Sequence, residues 1–435
     1  MIVDPTTIGA IGIIVMVVLM ALRVPIGVSM GVVGFLGFAY MNGWSAALSL
    51  LGLVPYSTVS TFTLTVVPLF VLMGYFASMA GLSEELYETA NHWFGHFRGG
   101  LAMATVVACG GFAAICGSSL ATAATMGSIA LPEMRRVGYD PKFATGCVAA
   151  GGTLGILIPP SVIFLIYGFL TEQSIGKLFL AGIAPGVVLV VLFILTIAVV
   201  TWVRPSLGPP VVRTPFLERL AALRRVWGVA ALFLLVIGGM YVGVFTATEA
   251  AAGGAFGAFA FAVARRKLTW TAFTTALVST ATTTAMIFAI LIGAIILGYF
   301  MAVTKVPMAL AAFFSGLPVS ATLVMICIIV TYVILGGLMD SLAMVLLTVP
   351  IFFPVIQALG FDPIWFGVML VILVEVGLIT PPVGMNVFVI SGMSKDVSIQ
   401  GVFLGTAPFL VAMGILLTLL MLFPDLALFI PRTMR

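Results

Sequence analysis

Three acidic residues lie inside otherwise apolar sequence, and they are the first residues to consider for chemistry. They are Glu249, Asp340 and Glu375. A charged side chain at the centre of a membrane span costs about 2.5 to 3.5 kcal/mol on insertion scales, so each acid needs a partner or a role. Asp340 is the strongest candidate because it falls at the tip of a predicted hairpin. Glu375 either lines the same cavity or makes a structural hydrogen bond, and Glu249 is expected to be solvated at a turn.

Short hydroxyl residues and glycines form two further groups, each close to a Pro-Pro pair. The first group is Gly117–Thr122 with Gly152–Pro160, and the second is Gly336–Ser341 with Gly377–Pro382. Two adjacent prolines remove backbone donors and break a helix, which frees carbonyl oxygens. Hydroxyl and carbonyl oxygens, with one carboxylate at most, suit Na⁺ rather than a transition metal.

These groups predict a sodium site in each half of the chain, with substrate contacts beside it. The predicted sodium ligands are Ser118, Ser119, Thr122, Gly152, Thr153, Gly155, Pro159, Gly336, Gly337, Asp340, Ser341, Gly377, Thr380 and Pro381. The predicted substrate contacts are Ser119, Pro160, Ser161, Ser341, Pro382 and Asn386. Small residues also occur where helices merely pack closely. Their recurrence at equivalent places in both halves, each time with a Pro-Pro pair, favours a binding site.

No residue pattern of an enzyme accompanies these groups. The sequence has no Ser-His-Asp, HExxH, Walker or GxGxxG arrangement, so an enzymatic interpretation lacks a nucleophile. The 4 cysteines stand singly without a CxxC spacing, which favours packing over metal or redox chemistry. We therefore predict no catalytic residue, and no cofactor other than Na⁺ as a coupling ion.

The composition indicates a membrane protein. Hydrophobic residues make up 62% of the 435 and charged residues only 7%, against roughly a quarter charged in a soluble domain. The net charge of +4 is small, and no basic stripe with interleaved aromatic residues suggests a nucleic-acid surface. The first residues, MIVDPTTIGA, lack the basic region of a cleaved signal peptide. We predict an all-α polytopic membrane protein.

The segments that position the candidate residues occur twice along the chain, as an internal repeat. A shift of about 222 to 224 residues lays the second half over the first. It aligns Pro159-Pro160 with Pro381-Pro382, and Asp340 with Ser118. Each copy therefore has the same series of apolar segments, hairpin and double-proline break.

Each copy is predicted to contain two plain spans, a third long helix, a hairpin and a broken apolar segment. The first copy places them at about 7–22, 26–41, 62–81, 101–137 and 142–171. The second copy places them at about 226–245, 248–266, 272–303, 321–357 and 364–392. Each hairpin limb has about 15 residues, fewer than the roughly 20 that a span needs, so we predict that the hairpins re-enter.

These segments divide the chain into two repeats and a linker. The first repeat is 1–203, with scaffold helices in 1–81 and the hairpin and broken helix in 101–171. The second repeat is 226–435, with its hairpin and broken helix in 321–392. Between them, 204–225 is Pro-rich and then basic with apolar spacing, which predicts an amphipathic linker on the cytoplasmic face.

The basic residues predict that the repeats are inverted. Arg135, Arg136 and Lys142 surround the end of the first hairpin, whereas the matching loop VIQALGFDP has no basic residue. By the positive-inside rule the two copies then face opposite ways. Threading the chain accordingly leaves four basic residues outside and the other 14 of the 18 inside. The four outside are Lys177, Lys305, Arg432 and Arg435.

Several of these motifs resemble the large membrane subunit of tripartite ATP-independent periplasmic (TRAP) transporters. The motifs are GSSLATAATMGSIALPEMRRVGYDPKFATG, GILIPPS, GLMDSLAMVLLTVPIFFPV and GLITPPVGMN, and the resemblance covers essentially the entire chain. It implies an elevator-type carrier of the ion-transporter superfamily, in the bacterial inner membrane, that imports organic anions such as dicarboxylates or sialic acid with a Na⁺ gradient. In family terms the two tips and breaks are similar to sodium-binding regions.

The resemblance also implies two protein partners. One is a small four-helix membrane subunit, and the other is a periplasmic solute-binding protein that delivers the organic acid. The chain ends without a fused small subunit, so a separate one is expected. The alternative is a stand-alone Na⁺/dicarboxylate symporter of the same superfamily, and a purely structural membrane subunit is a third possibility.

Overall fold

The computed structural model describes residues 4–316 and 320–434, and all regular elements in these ranges are helices. The first copy contains α1 Pro5–Ala21, α2 Ile26–Asn42, α3 Trp44–Ser60, α4 Val66–Met79, α5 Leu82–Phe94, α6 Gly100–Cys116, α7 Ser119–Val137, α8 Pro141–Leu157, α9 Val162–Thr171 and α10 Ile175–Val203. A short helix, α11 Phe216–Leu223, lies in the linker.

The second copy repeats this order. It contains α12 Trp227–Phe233, α13 Gly239–Tyr241, α14 Ala247–Ala264, α15 Trp270–Thr304, α16 Val306–Gly316, α17 Ala321–Gly336, α18 Ser341–Ala358, α19 Pro363–Leu378, α20 Met385–Met393, α21 Ile399–Leu422 and α22 Asp425–Arg432. A π-helical stretch, Leu234–Gly238, joins α12 to α13. Arg435, which the sequence predicts to lie outside, falls beyond the described residues.

Large apolar side chains on the outer surface show that the helices face lipid. Trp202 is 76% exposed and Leu22 is 70% exposed. Within the described residues, eight helices are long and apolar enough to cross a membrane. The predicted all-α polytopic membrane fold is therefore confirmed.

The segments predicted for the first copy omit α3, α5 and α10, and α3 changes how the two copies match. Residues 44–60 form α3, and α3 together with α4 matches the single long helix α15 of the second copy. The two are separated at Thr61, after which a 3-10 turn runs over Phe62–Thr65. Gly52 and Pro55 weaken the sequence signal for a helix at 44–60, because both residues disfavour a helix interior.

The two hairpins, α6–α7 and α17–α18, enter from opposite ends of the molecule. At one end of α10, the Thr201 hydroxyl donates to the carbonyl of Arg98, just before α6. Near its other end, Leu178 packs against Gly367 in the first turns of α19, which follows α18. The 23 residues between Leu178 and Thr201 span about 35 Å of helix. The bases of the two hairpins are therefore on opposite faces, as in an inverted repeat.

Helices of one copy pack against helices of the other. Around the outside, α2 packs on α15 and α14 packs on α4. Inside lies the central bundle, which we define as α6–α9 and α17–α20. At its centre, every residue in 143–157 of α8 and in 365–378 of α19 is buried. These two helices are surrounded on all sides, which suits their continuous apolar sequence.

Candidate functional site

The first hairpin tip packs closely on the first break. Gly117, with φ +69°, ends α6, and Ser118 begins α7 by accepting a hydrogen bond from the amide of Ala121 at 3.3 Å. A Cβ on Gly117 would lie 2.8 Å from the carbonyl oxygen of Pro160. A Cβ on Gly155 would lie 2.6 Å from the Ser118 carbonyl oxygen. Glycine is required at both positions for the tip to reach the broken helix.

The second tip repeats this arrangement with a carboxylate in place of the serine. Oδ1 of Asp340 accepts from the amides of Leu342 at 2.9 Å and Ala343 at 3.2 Å, so Asp340 caps α18. The carbonyl of Gly337 accepts from the amide of Val383 at 3.0 Å, which fastens the tip to the second break. The aligned residues Ser118 and Asp340 thus have the same helix-capping role.

Both predicted breaks are present, and they expose backbone oxygens. The first separates α8 from α9, and the second separates α19 from α20. Because proline has no N–H, the carbonyls of Gly155 and Ile156 lose the donors four residues ahead of them. In the second break Gly377 accepts from Thr380 instead, at 3.3 Å. The first break therefore has more backbone carbonyl oxygens without a hydrogen-bond donor than the second break.

Three buried side-chain oxygens beside the first tip have no hydrogen-bond partner within the described ranges. They are Oγ of Ser119, Oγ1 of Thr122 and Oδ1 of Asn386, whose side chains are at most 3% exposed. Thr122 Oγ1 would lie 2.7 Å from a Cβ on Gly155. Asn386 comes from the second copy, and its Nδ2 donates to the carbonyl of Ala149 at 3.1 Å. Unpaired buried oxygens are costly, so this cluster fits a bound cation.

A cavity of about 600 Å³ lies where the two tips meet. Its inner wall includes Ser118, Ser119, Asp340 and Ser341. Its outer wall comes from α4 and α15. No Lys, Arg or His is among its lining residues, so an anion in the cavity would depend on helix N-termini and bound cations for its positive partners.

The predicted substrate contacts differ in whether they line the cavity. Ser119 and Ser341 line the cavity, whereas the other four do not. Those four are Pro160, Ser161, Pro382 and Asn386. Ser161 is buried and caps α9 by accepting from the amide of Phe164 at 3.4 Å.

The predicted sodium ligands also fall into distinct settings. Ser119, Thr122, Gly152, Thr153, Gly155, Pro159, Gly336, Gly337 and Gly377 are buried, Ser118, Asp340, Ser341 and Thr380 are partly exposed, and Pro381 is exposed. The Thr153 hydroxyl donates a hydrogen bond to the carbonyl of Ala150 in the same helix, α8, at 2.7 Å. Thr380 likewise donates to the carbonyl of Val376 at 2.6 Å.

Sequence reasoning missed the contribution of the outer helices to the cavity. Tyr75 and Ser78 of α4 and Thr283 of α15 line it, and Thr125 of α7 joins them. The run STATTT at 279–284 is polar within an apolar helix, and it was the available signal for Thr283.

Comparison with known proteins identifies the family. Residues 13–426 match the model of the tripartite ATP-independent periplasmic transporter, DctM component. The chain belongs to this family. It is a multi-pass protein of the inner membrane and the large permease subunit of a TRAP transporter.

Individual relatives agree with the family match. The chain is 37% identical to the C4-dicarboxylate TRAP transporter large permease protein DctM of Pseudomonas aeruginosa, over 86% of this chain and 88% of that protein. It is 33% identical to the sialic acid TRAP transporter large permease protein SiaM of Vibrio cholerae, over 86% and 87%. These relatives are transporter permeases and not enzymes. The YdaH transporter of Alcanivorax borkumensis shares the fold, with a TM-score of 0.62, 16% identity and coverage of 88% and 90%.

Proposed function

We propose that this TRAP permease imports an organic acid anion by coupling it to Na⁺. The observation that carries the proposal is the cluster of unpaired oxygens from Ser119, Thr122 and Asn386 beside a cavity shared by both hairpin tips. Hydroxyl, amide and carbonyl oxygens are ligands of hard cations. The permeases named for C4-dicarboxylates and for sialic acid support the substrate class, because both solutes are carboxylates.

The negative charge of Asp340 in the cavity wall supports a requirement for Na⁺ in anion binding. Asp340 supplies a negative charge, and its Oδ1 already accepts hydrogen bonds from two amides at the start of α18. The start of α7 is capped by the neutral Ser118, so its dipole remains available to an anion. Cations bound at the two tips would offset Asp340 and leave a net positive site. Sodium binding therefore precedes or accompanies substrate binding in this proposal.

The proposed movement is of the elevator type. The central bundle carries the tips, the breaks and most of the cavity wall, while α2, α4, α14 and α15 form a scaffold from both copies. The ion and substrate can shift the equilibrium between the outward-facing and inward-facing states only if they bind one state more tightly than the other. The moving part would be the central bundle.

The proposed partners are a separate small membrane subunit and a soluble solute-binding protein. A stand-alone Na⁺/dicarboxylate symporter is the alternative. Liposomes that contain only this chain would distinguish the two, because a stand-alone carrier needs neither partner.

The test uses proteoliposomes containing the permease with its cognate small subunit. Uptake of a C4-dicarboxylate and of sialic acid is measured with an inward gradient of Na⁺ or of K⁺, and with the cognate binding protein added or withheld. We expect uptake of an organic acid only with Na⁺ and binding protein together. Equal uptake with the K⁺ gradient would contradict sodium coupling, and uptake by the lone chain would favour the symporter.

A further inference from the structure

The first hairpin tip packs against the outer helix α4 at a glycine. A Cβ on Gly74 would lie 3.1 Å from the carbonyl oxygen of Cys116 and 3.3 Å from its Cα. Cys116 is the last residue of α6, directly before the tip. Glycine lets the backbone of the tip approach this closely, because a larger residue would place side-chain atoms in the contact. The first tip therefore rests on α4 in this structure.

The second copy contains both partners of this contact, but they do not meet. The shift of 224 residues aligns Gly74 with Gly298 of α15, and the shift of 222 that aligns Ser118 with Asp340 also aligns Cys116 with Leu338. Among the described residues, nothing lies within 4 Å of a Cβ on Gly298. The side chain of Leu338 is 58% exposed. The central bundle is therefore docked on the scaffold through its first tip and not through its second.

The two glycines lie toward opposite faces of the membrane in the predicted topology. Gly74 is five residues before the end of α4, and Arg265 at the end of α14 donates to the carbonyl of Ala80, just after α4. Gly298 is six residues before the end of α15, which Lys305 follows. The positive-inside rule places Arg265 inside and Lys305 outside. The bundle is thus docked at the cytoplasmic part of the scaffold.

No ion pair among the described residues holds the tips in this arrangement. Asp340 takes part in none of them. Glu375 is buried in α19 and does not line the cavity, so the expected place on the cavity wall is wrong, and its carboxyl contacts the backbone of Leu157 instead. Glu249 is exposed and forms a capping box with Thr246, as expected for a turn. The asymmetry of the tips is one of packing.

We propose that the surface of α15 around Gly298 is a second docking site for the central bundle, which receives Leu338 of the second tip when the bundle faces the periplasm. This docking site rests on the proposed movement of the bundle, and it specifies where that movement ends. Tyr299 is aligned with Tyr75, which lines the present cavity, so Tyr299 would line the cavity in the outward-facing state. The present arrangement is then the inward-facing state.

The repeat also sets the length of the movement. Gly74 and Tyr75 share the present cavity with Met286 and Ile287 of α15. Gly298 comes 12 residues after Met286, which corresponds to about 18 Å along a helix. A bundle that moves by this distance carries its tips from the cytoplasmic part of the scaffold to the periplasmic part.

A second opening lies at the corresponding place in the first copy. Its volume is about 470 Å³, and its lining includes Phe62 and Thr63, directly before α4. The shift of 224 residues aligns these two residues with Met286 and Ile287, which line the present cavity. The part of the scaffold that would face the tips in the outward-facing state is therefore open.

The test is disulfide trapping in proteoliposomes that contain the permease and its cognate small subunit. Gly298→Cys and Leu338→Cys are combined in a background where Cys116 and Cys327, the native cysteines that are not fully buried, are replaced. A disulfide requires Cβ atoms about 3.8 Å apart, so the present arrangement does not form it. Oxidation traps the outward-facing state even when it is a minor one, and we expect about tenfold more linked 298–338 peptide than in a mixture of the two single-cysteine variants.

A second cysteine pair reports the present arrangement. Gly74→Cys combined with the native Cys116 should form a disulfide in the inward-facing state, because these positions are in contact. When both pairs are present in one chain, each molecule should carry one of the two disulfides, since one bundle cannot dock at both sites. Molecules with both disulfides would contradict the proposal.

Absence of the 298–338 disulfide would overturn the proposal, whether or not Gly74→Cys folds. Trapping requires neither Na⁺ nor substrate. Failure of sodium-driven uptake would therefore leave the trapping result intact, and failure of trapping would leave sodium coupling untouched. The two proposals are tested separately.

Blocking the second docking site supplies another readout. Gly298→Trp places an indole where the second tip would dock, and the position is open in this structure. We therefore expect an unchanged melting temperature and a fall of about tenfold in the uptake of a C4-dicarboxylate or of sialic acid. Gly414→Trp is the matched control, because its Cβ position in α21 is equally open, and it should keep wild-type uptake. Equal uptake by the two variants would contradict docking at Gly298.

Discussion

At the scale of single residues, the first tip is marked by hydroxyl groups that make no hydrogen bond within the described ranges. Thr122 Oγ1 and Ser119 Oγ are both buried and unpaired within the described residues, whereas other buried hydroxyls, such as those of Thr105 and Thr171, donate to a carbonyl in the preceding turn of their own helix. A buried orphan hydroxyl lowers stability unless a ligand satisfies it. These atoms are therefore more informative than the many glycines around them.

Thr122→Ala should lower the apparent affinity for Na⁺ without lowering the stability of the fold. Removing an unsatisfied hydroxyl costs little stability, but it removes one proposed sodium ligand, so we expect the Na⁺ concentration for half-maximal uptake to rise about tenfold. Ser128→Ala is the matched control, since Ser128 is exposed on the same helix and donates to the carbonyl of Thr125. An unchanged Na⁺ response in Thr122→Ala would remove Thr122 from the site.

Substitutions of Asp340 separate its two roles. Asparagine caps helices as well as aspartate does, so Asp340→Asn should melt at the wild-type temperature while losing Na⁺-dependent uptake at least tenfold. Asp340→Ala should lose uptake and, in addition, about 1 kcal/mol of capping stability. Thermal melting in detergent and uptake against Na⁺ concentration measure the two effects. Full sodium dependence in Asp340→Asn would show that its charge is dispensable.

At the scale of elements, glycines set how closely each hairpin approaches its break. A Cβ on Gly377 would lie 2.5 Å from the Cα of Gly336, so the second tip and break meet backbone to backbone. In the first copy, Gly155 allows α8 to touch both the Ser118 carbonyl and the Thr122 hydroxyl. Close approach by small residues is a usual device of membrane helices. Here it also brings free oxygens together.

Gly155→Ala should displace the first tip. The new methyl group would lie 2.6 Å from the Ser118 carbonyl oxygen and 2.7 Å from Thr122 Oγ1, so the tip must move. Overpacking of this kind costs about 1 to 3 kcal/mol, and we expect Na⁺-dependent uptake to fall at least tenfold. Gly414→Ala is the control, because nothing lies within 4 Å of its Cβ position. Equal melting temperatures and uptake for the two variants would contradict the close contact.

At the scale of the whole molecule, inversion of the repeats places the two tips at one depth although their bases lie on opposite faces. The long helix α10 spans this separation, since its two ends contact Arg98, just before the first hairpin, and Gly367 of α19, which follows the second hairpin. The basic residues follow the same division. Arg135 bonds to Ser394 and pairs with Asp396 at 2.5 Å on the face of the first hairpin base, whereas Lys177 lies in the first turn of α10 at the other end.

Cysteine labelling tests this inversion in cells. Arg136→Cys and Ala358→Cys are made separately in a background where Cys116 and Cys327, the native cysteines that are not fully buried, are replaced. An impermeant maleimide should reach position 358 in intact cells, and position 136 only after the inner membrane is permeabilised. Labelling of both positions from the same side would disprove the inverted topology.

Much of the fold follows from the sequence because its signals are local. Apolar length identifies membrane segments, and a double proline interrupts a helix in any surroundings because it has no N–H to donate. The internal repeat then pairs Pro159-Pro160 with Pro381-Pro382 without reference to any contact. Helix α3 escaped this reasoning because Gly52 and Pro55 weaken its local signal, although packing tolerates them.

Only the tertiary structure decided which atoms share a site. It brings Asn386 of the second copy to the first tip, 237 residues away from its partner Ala149, and it adds α4 and α15 to the cavity wall. It also buries Glu375 between helices whose sequences give no sign of that contact. Such meetings depend on packing between distant segments, and the order of residues along one segment does not encode where another segment will lie.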